Sequence, residues 1–178
     1  MSFSHPYGSY NVEGSFNDWV RVNLTAAGLP TWMPSARLLF DWPESYLISG
    51  HSGHAFTVTH LGKPETIQRY QGRNTISGSA GQTVMNLAQV DGWISKQQAG
   101  AAYNQRLRQM GGMIEYLFTS GREIEIKNLY TSTAAPSGIK ALIRLNPAQG
   151  QTIPNPDPIN PDYFRVRYLV SYNWLERV

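Results

Sequence analysis

The sequence predicts an α+β fold: a single mixed or antiparallel β-sheet packed by two helices, with long loops and an N-terminal arm. Three observations predict it. Two segments carry apolar residues at helical three- and four-residue steps, and several others alternate them at the two-residue period of a strand. The two kinds are interleaved along the chain, in the order helix, strands, long helix, strands, so one sheet covered by the helices is the simplest way to bury the apolar stripes. At 178 residues the chain suits one domain, because a single core ordinarily serves roughly 50–200 residues.

Residues 1–14 are small, polar and aromatic without a period, which predicts a flexible N-terminal arm. Residues 15–178 then form the domain. Ser15 is the expected N-cap of the first helix, with Asp18 at the positive end of the helix dipole. Phe16, Trp19, Val20, Leu24 and Ala27 form its apolar stripe, and Gly28 followed by Pro30 ends it. Residues 36–41 read as a short strand before Pro43. In the strand 54–61, Phe56, Val58 and His60 alternate with Ala55, Thr57 and Thr59.

The Gly-, Ser- and Asn-rich stretch 62–81 is a long loop, of a length usually reserved for functional or disordered segments. A long strand, 82–95, follows, with Val84, Ala88, Val90 and Ile94 in phase and Asn86 and Gly92 weakening the pattern. The strongest helix signal spans 98–120: Tyr103, Leu107, Met110, Ile114 and Leu117 lie on one face. Its Gly111-Gly112 pair either kinks the helix or admits another part of the chain at close range, and Gly121 is placed to cap it.

Strands are expected at 123–130 and 139–145. Five prolines in 146–162 predict an extended arm or linker outside the packed structure. The last strand, 164–175, sets Phe164, Val166, Tyr168, Val170, Tyr172 and Trp174 on one face, and Arg165, Arg167, Leu169, Ser171 and Asn173 on the other. Alternating aromatics of this kind more often face a core than form a stacking platform.

Composition narrows the function classes. Hydrophobic residues make up 41% of the chain but charged residues only 15%, against about 25% in ordinary soluble domains. Five Trp and ten Tyr contribute to a 12% aromatic share, and these residues favour surfaces where proteins meet. The same composition also suits a carbohydrate binder. A net charge of +3 with scattered basic residues is weak ground for nucleic-acid binding. There is no cysteine, which excludes disulfides and thiolate metal sites. No signal peptide and no apolar run of membrane-spanning length is evident, so the expected compartment is the cytoplasm.

Candidate chemistry is sparse. His51-x-x-His54 with His60 is the one arrangement that suggests a metal, but a third ligand with matching spacing is missing. Gly50-His51-Ser52-Gly53-His54 approximates a nucleophile elbow, yet His54 stands where the closing glycine belongs and a strand follows, not a helix. The twelve carboxylates offer no convincing acid–base pair, and Asp157 and Asp162 sit in the Pro-rich segment. Asn23-Leu24-Thr25 fits a glycosylation acceptor but lies inside an expected helix. The reading is therefore of a protein that is not an enzyme and holds no metal or cofactor.

The chain resembles the tail terminator (tail completion) proteins of long-tailed bacteriophages. The resemblance rests on the opening helix ending Leu24-Thr25-Ala26-Ala27-Gly28-Leu29-Pro30 and on the segment Arg37-Leu38-Leu39-Phe40-Asp41-Trp42-Pro43. It continues through the strand Val84 to Trp93 running into a long helix, then Ile124 to Leu129, and the closing strand Arg165 to Arg177. It is a pattern over most of the chain, not a sharp motif. The 62–81 loop and the 146–162 arm are larger than a compact subunit of this kind needs.

The resemblance implies a virion protein, assembled in the host cytoplasm, that forms a homo-oligomeric ring, typically a hexamer, on the end of the tail tube. Such a ring stops tube polymerisation and joins the tail to the head connector or neck protein, with at most transient contact to DNA in its lumen and none to membrane. Closing a ring requires two different patches per subunit, meeting head to tail. Aromatic and basic residues outside or at the edges of the apolar stripes are the candidate interface: Tyr7, Tyr10, Trp42, Tyr46, Arg69, Tyr70 and Arg73. The alternatives are another head–tail joint, either a head-completion or a tail tube subunit, and, with less support, a small hydrolase or ligand-binding domain.

Overall fold

The structure is a computed structural model, and it describes residues 9–26, 28–33, 38–40, 53–61, 81–118, 122–129, 135–145, 151–153 and 161–177. In chain order the elements are α1 (Ser9–Ala26), β1 (Leu38–Phe40), β2 (His54–His60), β3 (Gly81–Ser95) and α2 (Lys96–Ala99). A 3-10 turn (Gly100–Ala102) leads into α3 (Tyr103–Phe118), followed by β4 (Arg122–Asn128), β5 (Ala135–Leu145), β6 (Gln151–Ile153) and β7 (Tyr163–Arg177). The strands form one mixed sheet in the order β1-β2-β3-β7-β5-β4, with β6 also paired to β7. Only β1 and β2 run parallel. The fold is α+β, with α1 and α3 packed on the sheet.

The centre of the sheet is the β3–β7 pair, in register from Gly81↔Arg177 to Ser95↔Tyr163. The expected alternation holds where it matters most: Val166, Tyr168, Val170 and Tyr172 all enter the main core with Ala88, Val90 and Ile94 of β3. Helix α3 lays Leu107, Met110, Ile114 and Leu117 onto that face, the stripe its periodicity predicts. Glycines set how closely it lies. A Cβ at Gly92 would stand 3.0 Å from Val166 Cγ1 and 3.2 Å from Met110 Cβ. One at Gly111 would stand 2.8 Å from the Tyr168 hydroxyl. The helix runs unbroken through Gly111 and Gly112, so Gly111 admits a side chain at close range and no break occurs there.

Several boundaries differ from expectation. Helix α1 begins at Ser9, so residues 9–14 belong to it and not to an arm. Val12 is buried four residues before Phe16 and continues the apolar stripe backwards. Ser15 is accordingly no N-cap: its hydroxyl donates to the Asn11 carbonyl at 2.6 Å within the helix. The single helix expected over 98–120 is divided at Gly100, whose φ of 52° is in the left-handed region that favours glycine. Ser95 caps α2 by accepting from the Gln98 N–H at 3.1 Å.

The Pro-rich segment is partly built into the sheet. Within it, β6 pairs Gln151–Ile153 with Arg167–Arg165, while β5 pairs Ala141–Leu145 with Trp174–Val170. The two short pairings lie end to end along one edge of β7, because a 15-residue strand leaves room for both. The 62–81 loop lies outside the described residues except for Gly81, which opens β3.

The edge strand β4 is closed by α1. Asn11 Oδ1 accepts the Leu129 N–H at 2.8 Å, and the Ser15 hydroxyl accepts the Lys127 N–H at 2.8 Å. The two side chains stand one helical turn apart, and the two amides two residues apart, so a helix substitutes for the missing strand. This removes donors that would otherwise invite pairing with another chain. The register of β4 with β5 shifts between Ile126 and Lys127 at the same place.

Candidate functional site

Of the candidate interface residues, Tyr10 is described: it lies in the first turn of α1 and is 58% exposed. Tyr7, Trp42, Tyr46, Arg69, Tyr70 and Arg73 lie outside the described residues. The other large apolar side chains exposed among the described residues are Val22, Leu61 and Tyr116.

The described imidazoles do not converge. His54 and His60 end β2 on the same face of the sheet, six residues apart, which is about 20 Å at strand rise. His54 is buried with its ring edge-on to Trp32 at 5.8 Å. His60 stands 2.9 Å from Asn17 Oδ1 and 3.0 Å from the Tyr172 hydroxyl, which in turn accepts from Asn86 Nδ2 at 3.2 Å. His51 lies outside the described residues. Among the described residues, no three His, Asp or Glu side chains stand close enough to hold a metal ion.

The tyrosines on this face are tuned by burial. Loss of solvent raises the Tyr172 hydroxyl well above its ordinary value, opposed by the Asn86 hydrogen bond and aided by the Glu13 charge. Tyr168 is raised first by burial, then by its 2.7 Å hydrogen bond to Glu115. Both remain neutral donors at any ordinary pH. The Tyr168 hydroxyl ties β7 to α3, and the Tyr172 hydroxyl ties β7 to β2 and β3.

The opposite face of the sheet holds a cluster that the sequence did not reveal. Asp91 and Arg167 are direct cross-strand partners, with Arg167 Nε 3.4 Å from Asp91 Oδ1. One row along, Trp93 and Arg165 are partners, and the guanidinium lies 4.7 Å from the indole centroid. The indole N–H donates to Thr57 Oγ1 at 2.9 Å, and Gln89 donates to Asp91 at 2.5 Å. Asp91, Trp93 and Arg165 are all buried. Burial raises the Asp91 pKa, with Gln89, Arg165 and Arg167 pulling against it. Each of these residues alternates out of the main-core phase, and a lone charged residue on a strand carries no local sign of burial.

Two surface features remain. A cleft of about 700 Å³ opens where β3 meets α2, between Gly53, Ser95, Gln98, Asp162 and Tyr163. The second is the far end of the central strand pair. β2 pairs with β3 only from Ala88 to Ile94, and β5 meets β7 only as far as Trp174. Gly81–Thr83 and Leu175–Arg177 therefore pair only with each other among the described residues.

No family model matches the chain. No curated protein matches it either. Several solved chains are similar; one of them matches at 11% sequence identity, over 94% of this chain and 96% of its own, with a TM-score of 0.50. A likeness at that identity, extending nearly end to end over both chains, bears on the fold alone.

Proposed function

We infer that the chain is a structural virion subunit that assembles with copies of itself into a ring, a hexamer as the resemblance implies, at the end of a phage tail tube. There it stops tube polymerisation and joins the tail to the head connector. The observation that supports self-assembly is the end of the β3–β7 pair, where Gly81–Thr83 and Leu175–Arg177 have no ladder partner among the described residues except each other; an incompletely paired strand end is a template for another chain. The low charge, the exposed Tyr10 and the resemblance of helix and strand order to tail terminators direct that assembly to a tail end. Nothing in the reading calls for a reaction.

Light scattering on the eluting protein, with electron microscopy of the same fractions, tests it. Closed rings that shorten tubes when mixed with tail tube protein are expected. A strict monomer at high concentration, inert toward tube growth, overturns the reading. Long filaments formed by the chain alone would assign it to the tube itself.

A further inference from the structure

The hydrogen bonds through Tyr172 couple the donor and acceptor roles of Asn86 to those of His60. Asn86 donates through Nδ2 to the Tyr172 oxygen. The hydroxyl has one hydrogen of its own, and it faces His60 Nδ1 at 3.0 Å. With Asn86 as donor, Nδ1 is the acceptor, and the tautomer that matches is the neutral imidazole with its hydrogen on Nε2, facing Asn17 Oδ1 at 2.9 Å. The chain joins α1, β2, β7 and β3.

A proton gained from solvent at Nδ1 turns that nitrogen into a donor facing the Tyr172 oxygen. The hydroxyl hydrogen must then point elsewhere. Asn86 can take it. This residue is 1% exposed, and its Oδ1 has no hydrogen-bond partner among the described residues. A half-turn of the amide exchanges Oδ1 with Nδ2 and sets an acceptor against the hydroxyl. The same bonds re-form with their sense reversed, from His60 to Tyr172 to Asn86. In each setting one amide atom is left without a partner, so neither is penalised more on that account.

We propose that His60, Tyr172 and Asn86 form a reversible proton relay, in which charging the half-buried imidazole beside α1 turns over an amide in the central strand. The surroundings suit this. Phe16 stacks on the Tyr172 ring at 4.7 Å and meets the His60 ring edge-on at 5.7 Å, which holds the two rings in place. Burial keeps the Tyr172 hydroxyl protonated, so it passes the signal on and does not ionise. Glu13 on α1 is the charged group acting on Tyr172, and its sign favours the cationic setting. Asn17 accepts from Nε2–H in both settings, so the outer end of the chain is unchanged.

Nuclear magnetic resonance on the full chain tests it, by following the His60 ring nitrogens and the Asn86 side-chain amide from about pH 8 to pH 5, where imidazoles exchange protons. The expected result is a shift of the Asn86 amide with the same midpoint as His60. An Asn86 signal that stays still while His60 titrates overturns the relay. In His60→Gln the Asn86 shift should vanish, and its persistence there also overturns the proposal. Tyr172→Phe keeps His60 titratable and should uncouple the two midpoints; coupled shifts in that variant would show that the hydroxyl is not the link.

Discussion

The two faces of the sheet are built from the same strands by alternate residues, yet they solve burial differently. On the helix side, Val166, Tyr168, Val170 and Tyr172 meet apolar stripes from α1 and α3. The polar atoms there are gathered into one chain through Tyr172 and His60. On the other side, Asp91, Arg165, Thr57 and Gln89 are buried around Trp93, which also packs with Ala55 and Tyr163, and the charged and aromatic residues are matched across strands by sign and by ring. One face is stabilised mainly by area, the other by pairing in a dry setting, where each partner matters because the other cannot be left alone. Cross-strand register is thus fixed twice, by shape on one side and by charge on the other.

Large deletions test whether both faces are cores. Trp93→Ala is expected to cost about 3–5 kcal/mol, in the range for a buried aromatic, and Phe16→Ala on the helix face should cost a similar amount. Chemical denaturation measures both. A Trp93 variant within about 1 kcal/mol of the parent would reduce the charged face to a surface feature. The helix face has less room for addition than for loss. Gly92→Val should cost about 1–3 kcal/mol by pressing Met110 and Val166 apart, and a melting curve unchanged by it would mean that α3 can retreat freely.

The edge closed by α1 should yield less. Asn11→Ala leaves the Leu129 N–H without its acceptor and is expected to cost roughly 1 kcal/mol, with faster amide exchange at Leu129 as the specific sign. The smallest effect is one of pH. Because the folded state raises the Asp91 pKa, the protonated form favours folding. Its contribution is fully present below the unfolded value of about 4 and is lost as pH rises through the folded one. The stability of the parent relative to Asp91→Asn should therefore fall as pH rises from about 4. A difference that grows in the parent's favour would mean that the arginines outweigh burial, and the two faces would then differ more sharply than described.

The legible parts of this molecule were those written in a local period. The β7 alternation from Phe164 to Tyr172 and the α3 stripe from Leu107 to Leu117 could be seen because burial recurs every two or every three to four residues. The start of α1 was missed although Val12 continues the stripe of Phe16, because the surrounding Gly, Asn and Ser residues look like a loop. Ser15 was read as a cap because a serine before a stripe usually is one. Its second partner, Lys127, is 112 residues away, and no local rule reaches that far. The same holds for Asp91 and Arg167, 76 residues apart. β6 was concealed by the prolines around it, since the strand is only three residues long and borrows its order from β7. Of the candidate interface, Tyr10 alone falls among the described residues, and its exposure agrees with a contact role without assigning one.

Among the described strands, β7, in the middle of the sheet, is the last in chain order. β3 gains its main partner only when residues 163–177 have been made, and the amides that α1 caps belong to Lys127 and Leu129. A growing chain thus carries α1 and β3 without the full set of these partners until residue 163 and beyond have been made. Folding of such long-range pairings is slow and leaves sticky intermediates. Production of this protein should accordingly respond to temperature and chaperone supply, and a chain stopped before residue 163 should be degraded or insoluble instead of partly folded.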